Sequence, residues 1–299
     1  FNKIQRTADL GAEVVIHGAG FDDSVQFTLD LAAQKGLTFI HPFDDPVVAA
    51  GQGTVALEML EQMPGLDCIV VPVGGGGLIA GMAVAAKSIK PAITMIGAQA
   101  HLFDAAKAQI DGVAPHFAGA TLAEGIAVRQ PAPANIAVIR DHVARIDSAS
   151  ESEIESAVFD LLSHEKLVAE GAAGAGLAVI KANLARFAGQ KVGLVICGGN
   201  IDSRLLSTLI LRGLMRDGRI TRLVFEIDDR PGQLAMISRI IGDAGANVIE
   251  VIHQRMMQSV SLKKAELEIV IEARDQRHVD DITGLLRDAG LSVRTAQDL

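Results

Sequence analysis

Four consecutive glycines, Gly74 to Gly77, separate the apolar run Cys68-Ile-Val-Val-Pro-Val73 from the helix-forming stretch Leu78-Ile-Ala-Gly-Met-Ala-Val-Ala-Ala86. The order is strand, glycine loop, helix start. Glycine lets the chain fold back with no Cβ in the way and lets an anion come close to the backbone. The helix that follows adds unpaired N–H groups and a partial positive charge at its N-terminus. A plain turn is the alternative, but four glycines cost much backbone entropy on ordering, so a phosphate cradle is the better reading of this segment.

The same alternation runs through the first two thirds of the chain. Residues 11–18, Gly-Ala-Glu-Val-Val-Ile-His-Gly, predict a short strand, 22–35 a helix and 37–40 another strand. Helices are expected over 54–63 and 78–87, and strands over 68–73 and 94–97. A helix over 152–165 would open on a Ser152/Glu155 capping box. Then come a helix over 175–188, a strand over 191–197 and a helix over 203–216. Pro131 and Pro133 mark an irregular excursion. Alternating β and α segments are the sequence form of a twisted, mostly parallel sheet covered by helices, an α/β fold.

Near Asp217-Gly218 the pattern changes. Strands are expected over 222–227, 247–255, 265–272 and 291–294, and helices over 232–245 and 280–289. The order β-α-β-β-α-β predicts a separate ferredoxin-like domain from about residue 218.

A net charge of -9 in 299 residues, with no block of like charges, argues against a nucleic-acid partner. Residues 68–86 are uncharged and about long enough for a membrane span, but the Pro72-Val-Gly-Gly-Gly-Gly77 centre breaks any spanning helix. No membrane role is expected. Only two cysteines, far apart, imply no disulfide framework and point to a reducing compartment, the cytoplasm. The eight histidines show no metal-ligand spacing, so no metal site is expected.

Three motifs occur in a particular order: His41-Pro-Phe-Asp-Asp-Pro46 with Gly51-Gln-Gly-Thr54, then Pro72-Val-Gly-Gly-Gly-Gly-Leu78, then Cys197-Gly-Gly-Asn-Ile-Asp202. Together they resemble the fold type II pyridoxal-phosphate enzymes, and within them the threonine dehydratase (threonine ammonia-lyase) group, near serine dehydratase and serine racemase. Asp229-Arg-Pro-Gly-Gln-Leu234 and Gly245-Ala-Asn-Val248 resemble an ACT regulatory domain. The resemblance implies a remnant of the small cofactor subdomain over 1–42, a large cofactor-binding domain over 43–217 and an ACT domain over 218–299. Pyridoxal 5'-phosphate is the implied cofactor. Gly74, Gly75, Gly76, Gly77 and the Leu78 amide would hold its phosphate, with Cys197 at the pyridine nitrogen. Glu170 and Asn200 would lie near the ring. A neutral thiol is a weak hydrogen-bond partner, so the ring would draw electrons less and favour expulsion of a β-hydroxyl. Thr121-Leu-Ala-Glu-Gly125 departs from the family's usual aspartate at Glu124. Gln99 stands where related racemases carry a metal-binding carboxylate, and an amide is a poorer ligand for a hard cation.

The family's chemistry needs a Schiff-base lysine in a Ser-x-Lys segment. No lysine here stands in that context, so no catalytic residue is assigned in this chain. The lysine is expected upstream of Phe1, which would make this sequence an inactive part of a longer enzyme. The implied partners are a small amino-acid substrate, a regulatory amino acid near Gly232 and Asn247, and further copies of the chain as a homo-oligomer. Serine racemase or serine dehydratase chemistry, or a non-catalytic amino-acid-binding chain, are the alternatives.

Overall fold

The computed structural model describes residues 2–18, 21–254 and 264–295. The chain divides into two compact units, Phe1–Ser203 and Arg204–Leu299. The first begins with helices α1 (Asn2–Asp9), α2 (Phe21–Lys35) and α3 (Pro46–Gln62), followed by β1 (Cys68–Pro72), α4 (Gly77–Ile89), β2 (Thr94–Ala100) and α5 (Ala105–Asp111). It continues with α6 (Pro133–His142), β3 (Arg145–Ala149), α7 (Glu151–Ser163), α8 (Gly171–Ala182), α9 (Leu184–Phe187) and β4 (Val192–Leu194).

The four strands form one parallel sheet in the order β3-β2-β1-β4. Central strand β1 is buried along its whole length, which is why it reads as an unbroken apolar run rather than an alternating one. Its Ile69 and Val71 pack with Ile79, Met82, Met95 and Ile139 in the main core. Each such side chain contributes about 1.5–3 kcal/mol by leaving water. Helices α3 and α4 cross in backbone contact. A Cβ on Gly81 would lie 1.8 Å from the Ala49 carbonyl oxygen, and one on Gly53 would lie 2.9 Å from the Gly81 oxygen.

Several sequence expectations are corrected. Residues 12–17 and 37–40 are not strands. Val15, Ile16, Leu37 and Ile40 are exposed there, and without a neighbouring strand to take up their N–H and C=O groups an apolar run does not become a sheet element. The capping box belongs to Ser150 and Glu153, not Ser152 and Glu155. Ser150 has the extended backbone a cap requires, whereas Ser152 already lies inside α7. The strand at 191–197 is confined to Val192–Leu194, the stretch that pairs with Cys68–Val70. The helix at 175–188 begins earlier, at Gly171, and breaks at Asn183, whose Nδ2 donates to the Val179 carbonyl at 3.0 Å. Strand β3 has no apolar run because it is an edge strand, with Arg145 bonded to Asp147 at 2.7 Å.

The second unit contains α10 (Ser203–Arg216), β5 (Ile220–Asp228), α11 (Gln233–Asp243), β6 (Asn247–Gln254), β7 (Lys264–Glu272), α12 (Gln276–Asp288) and β8 (Val293–Thr295). After α10 the chain order is β-α-β-β-α-β. The sheet is antiparallel, ordered β6-β7-β5-β8. One face, with Leu223, Phe225, Leu267 and Ile269, packs on Ile237, Ile241, Ile282 and Leu286 of the helices. Ion pairs such as Arg222–Glu268 (3.4 Å) link neighbouring strands. His278 is buried; its Nδ1 accepts from the Arg274 amide at 3.2 Å and its Nε2 meets the Ala244 carbonyl at 2.9 Å, a pattern that suits a neutral ring carrying the Nε2 proton. Residue 255, the expected end of one strand, lies outside the described residues.

Candidate active site

The path of the chain through the first sheet creates the site. From β1 it moves to β2 and then β3 on one side, and it returns as β4 on the other side of β1. The loops after the adjacent parallel strands β1 and β4 therefore open at the same carboxyl edge of the sheet, the edge at which open α/β sheets bind ligands. Gly74–Gly77 follow β1, and Cys197 follows β4.

The glycine loop is crowded on every side. A Cβ on Gly74 would lie 3.0 Å from the Ile126 Cα, and one on Gly75 would lie 2.2 Å from the Phe43 ring. A Cβ on Gly77 would lie 2.9 Å from the Phe43 carbonyl oxygen. Gly76 caps α4 with φ 89 and ψ -7, the left-handed region in which L side chains are strained. The Gly75 carbonyl accepts from the Ala132 amide at 3.2 Å and from Asn135 Nδ2 at 3.1 Å. The same Nδ2 donates to the Phe43 carbonyl at 2.8 Å. Residues 41–45 strap over the loop. The strap has its own turn, in which His41 Nδ1 accepts from the Phe43 and Asp44 amides at 3.3 and 2.8 Å. Leu78 is half-buried in the first turn of α4.

The other end is built around Glu170. Its carboxylate occupies the space beside Gly125 and Gly198, where a Cβ on either glycine would meet Oε1 at 2.9 and 2.4 Å. Its amide donates to the Gly198 carbonyl at 3.2 Å. Burial pushes the Cys197 thiol up from the ordinary range, and the nearby Glu170 charge adds to that. Cys197 is thus a neutral thiol near pH 7. Asn200 is exposed beyond it.

The segment 121–126 bridges the two ends, touching Gly74 through Ile126 and Glu170 through Gly125. Glu151 anchors this segment. Its two carboxylate oxygens accept from Thr121 Oγ1 at 2.6 Å and the Leu122 amide at 2.7 Å. Glu124 opens a short 3-10 turn and is exposed. The structure therefore places Gly74 to Gly77 and Leu78 at one end, and Cys197 and Glu170 at the other. Asn135 and Glu151 escape sequence reasoning, because each reaches its partners across long stretches of chain; Phe43 lies in the His41–Pro46 motif, but its place against Gly75 and Gly77 shows only in the fold.

Gln99 is wholly buried, and its Oε1 accepts from the Lys107 amide at 3.0 Å. Among the described residues, no three His, Cys, Asp or Glu side chains gather as a metal-ligand group. No helix among the described residues is long and apolar enough to cross a membrane. In the second unit, Gly232 caps α11 with φ 94, and Asn247 opens β6.

These residues suit a phosphorylated cofactor. The loop excludes side chains, ends at a helix N-terminus, and lies one strand from a neutral thiol. The comparisons agree. The family model described as pyridoxal-phosphate dependent enzyme matches residues 2–198. An L-threonine ammonia-lyase of Thermotoga maritima is 39% identical over 295 residues, covering 98% of this chain and 73% of the relative. A solved threonine deaminase from T.th. has 33% identity and a TM-score of 0.60, with 64% of each chain covered. Maize serine racemase has 27% identity and a TM-score of 0.64, covering 72% of this chain and 67% of its own. The chain thus spans only part of the length of each of these proteins.

Proposed function

Because the chain belongs to the pyridoxal-phosphate dependent enzyme family, we propose that it forms the larger part of a threonine ammonia-lyase. The reaction converts L-threonine to 2-oxobutanoate and ammonia, with L-serine to pyruvate as a lesser activity. The observation that carries this is the arrival of a glycine phosphate loop and a neutral thiol at the ends of adjacent strands β1 and β4.

The cofactor, when bound, supplies an electron sink for the substrate's α-carbon. Its phosphate would be held by the N–H groups of Gly74 to Gly77 and Leu78, reinforced by the dipole of α4. Cys197 would face its pyridine nitrogen. Held neutral by burial and by Glu170, the thiol leaves that nitrogen without a strong acidic partner, which favours expulsion of the β-hydroxyl. Glu170 and Asn200 would flank the ring. The residues that build the two ends include no lysine, and we assign the Schiff-base lysine to a residue outside this sequence.

The second unit is proposed to be an ACT regulatory domain. Its β-α-β-β-α-β order supports this, and an amino acid such as isoleucine or valine would bind at the open Gly232 corner; Asn247, level with Ile220 through Glu272, lies at the other end of the sheet from Asp228 and does not share that corner. Pairing through such domains would give a cytoplasmic homo-oligomer. The maize serine racemase likeness supports a second reading, in which serine is racemised or dehydrated.

The test is an assay of the intact gene product that contains this sequence. It should release 2-oxobutanoate from L-threonine faster than pyruvate from L-serine, and isoleucine should change the rate. Serine turnover without threonine turnover would favour the second reading. The 299-residue chain alone should show no Schiff-base absorbance with the cofactor; a band would overturn the lysine assignment.

A further inference from the structure

We infer that Asn135 is a positioning residue for the anion site: it turns the Gly75–Gly76 peptide so that the Gly76 N–H is presented to the phosphate. The inference rests on the phosphate reading of the loop and goes one step beyond it. Asn135 stands in the first turn of α6, is 6% exposed, and comes from a segment that no loop motif includes. Its Nδ2 bonds both the strap, at the Phe43 carbonyl, and the loop, at the Gly75 carbonyl. The Ala132 amide draws on the same Gly75 oxygen. Two donors from one side therefore fix the direction of that carbonyl.

A peptide plane is rigid, and in a trans peptide the carbonyl and the next N–H point in opposite directions. With the Gly75 oxygen drawn toward α6, the Gly76 N–H points away from α6. Gly76 has little resistance of its own, because glycine populates both signs of φ about equally. Without Asn135 only the Ala132 amide would hold that carbonyl, and one donor of the cradle would be turned away for part of the time. The Asn135 side chain also lies against Gly76, 3.0 Å from where a Cβ would be, so it limits that rotation by contact as well.

The experiment titrates inorganic phosphate into the full 299-residue chain, following the Gly76 and Gly77 amide resonances by NMR, with thermal unfolding as the control for folding. In the wild type both amides should shift and saturate together. In Asn135→Ala the phosphate dissociation constant should rise about tenfold, the loss of one charge-assisted hydrogen bond. The Gly76 shift should shrink more than that of Gly77. Asn135→Asp, equal in shape and lacking the donor, is run beside it so that the outcome does not depend on one variant folding. Both variants binding phosphate as the wild type does would overturn the positioning role and leave the loop as the phosphate site. Weaker binding with the two amide shifts reduced in equal proportion would also overturn it, since that is general loosening. A wild type in which neither amide responds to phosphate would overturn the phosphate reading and this inference with it.

Discussion

Two corners of this molecule share one local pattern: a strand gives way to a left-handed glycine, and a helix begins. Gly76 (φ 89) caps α4 in the first unit, and Gly232 (φ 94) caps α11 in the second. Their surroundings are opposite. Side chains and backbone from three other segments press on the first corner, whereas a Cβ on Gly232 would meet nothing within 4 Å. The helices repeat the contrast. Gly81 in α4 touches the backbone of α3, while Gly242 in α11 has open space. Local sequence makes the turn, but tertiary packing decides whether its N–H groups are locked in direction. A locked corner suits a small, highly charged ligand that stays bound; an open one suits a ligand that comes and goes.

The contrast breaks most visibly at Gly81. Gly81→Ala places a Cβ 1.8 Å from the Ala49 oxygen, and overpacking of this kind costs about 3 kcal/mol. Calorimetry should show a large fall in the melting temperature of the first unit. Gly75→Ala drives a methyl into the Phe43 ring. It should weaken pyridoxal phosphate binding by at least about tenfold, or about 1.4 kcal/mol, in an equilibrium titration of the intact gene product.

A third variant separates the two ends of the site. Glu170→Gln removes a negative charge that raises the Cys197 thiol, so the thiolate fraction at mildly alkaline pH should grow. Alkylation of Cys197 should then be faster while phosphate affinity holds. The sign also sets the pH dependence of stability. With its folded-state pKa raised, Cys197 binds its proton more tightly when folded. Its contribution is complete below the ordinary thiol range and is lost as pH rises through the raised value.

At the open corner the effects are smaller and of both signs. Gly232→Ala meets only backbone strain, about 1 kcal/mol of destabilisation, and should leave phosphate binding untouched. Gly242→Ala should raise the melting temperature slightly, since Ala in a helix is better than Gly by about 0.5–1 kcal/mol where there is room. If Gly232→Ala cost as much as Gly81→Ala, the second corner would be as packed as the first and the comparison would fail.

What the sequence discloses divides along the same line. The glycine loop, the strand before it and the helix after it are local, so spacing and glycine content reveal them. Strand β1 is legible because it is buried on both faces; β3 is not, because Arg145, Asp147 and Ser148 give an edge strand no apolar signature. The false strands at 11–18 and 37–40 have the right composition, but no strand among the described residues pairs with them. The bracing of the site lies deepest. Asn135 reaches Phe43 and Gly75, and Glu151 reaches Thr121 and Leu122, across separations that leave no periodic trace in the chain. Glu170 is legible through family likeness, yet its place between Gly125 and Gly198 emerges only when the sheet is assembled.

The three-residue strand β4 has a consequence for how the protein reaches its native state. It joins β1 across the whole chain between Pro72 and Val192, the stretch that also carries β2 and β3. Closing so long a loop is entropically costly and slow compared with forming the neighbouring β1-loop-α4 unit. By sequence separation alone, the glycine corner would form before the thiol end. A cofactor that engaged the glycine corner first would bind a species still lacking its second half, and its binding would favour docking of the final strand.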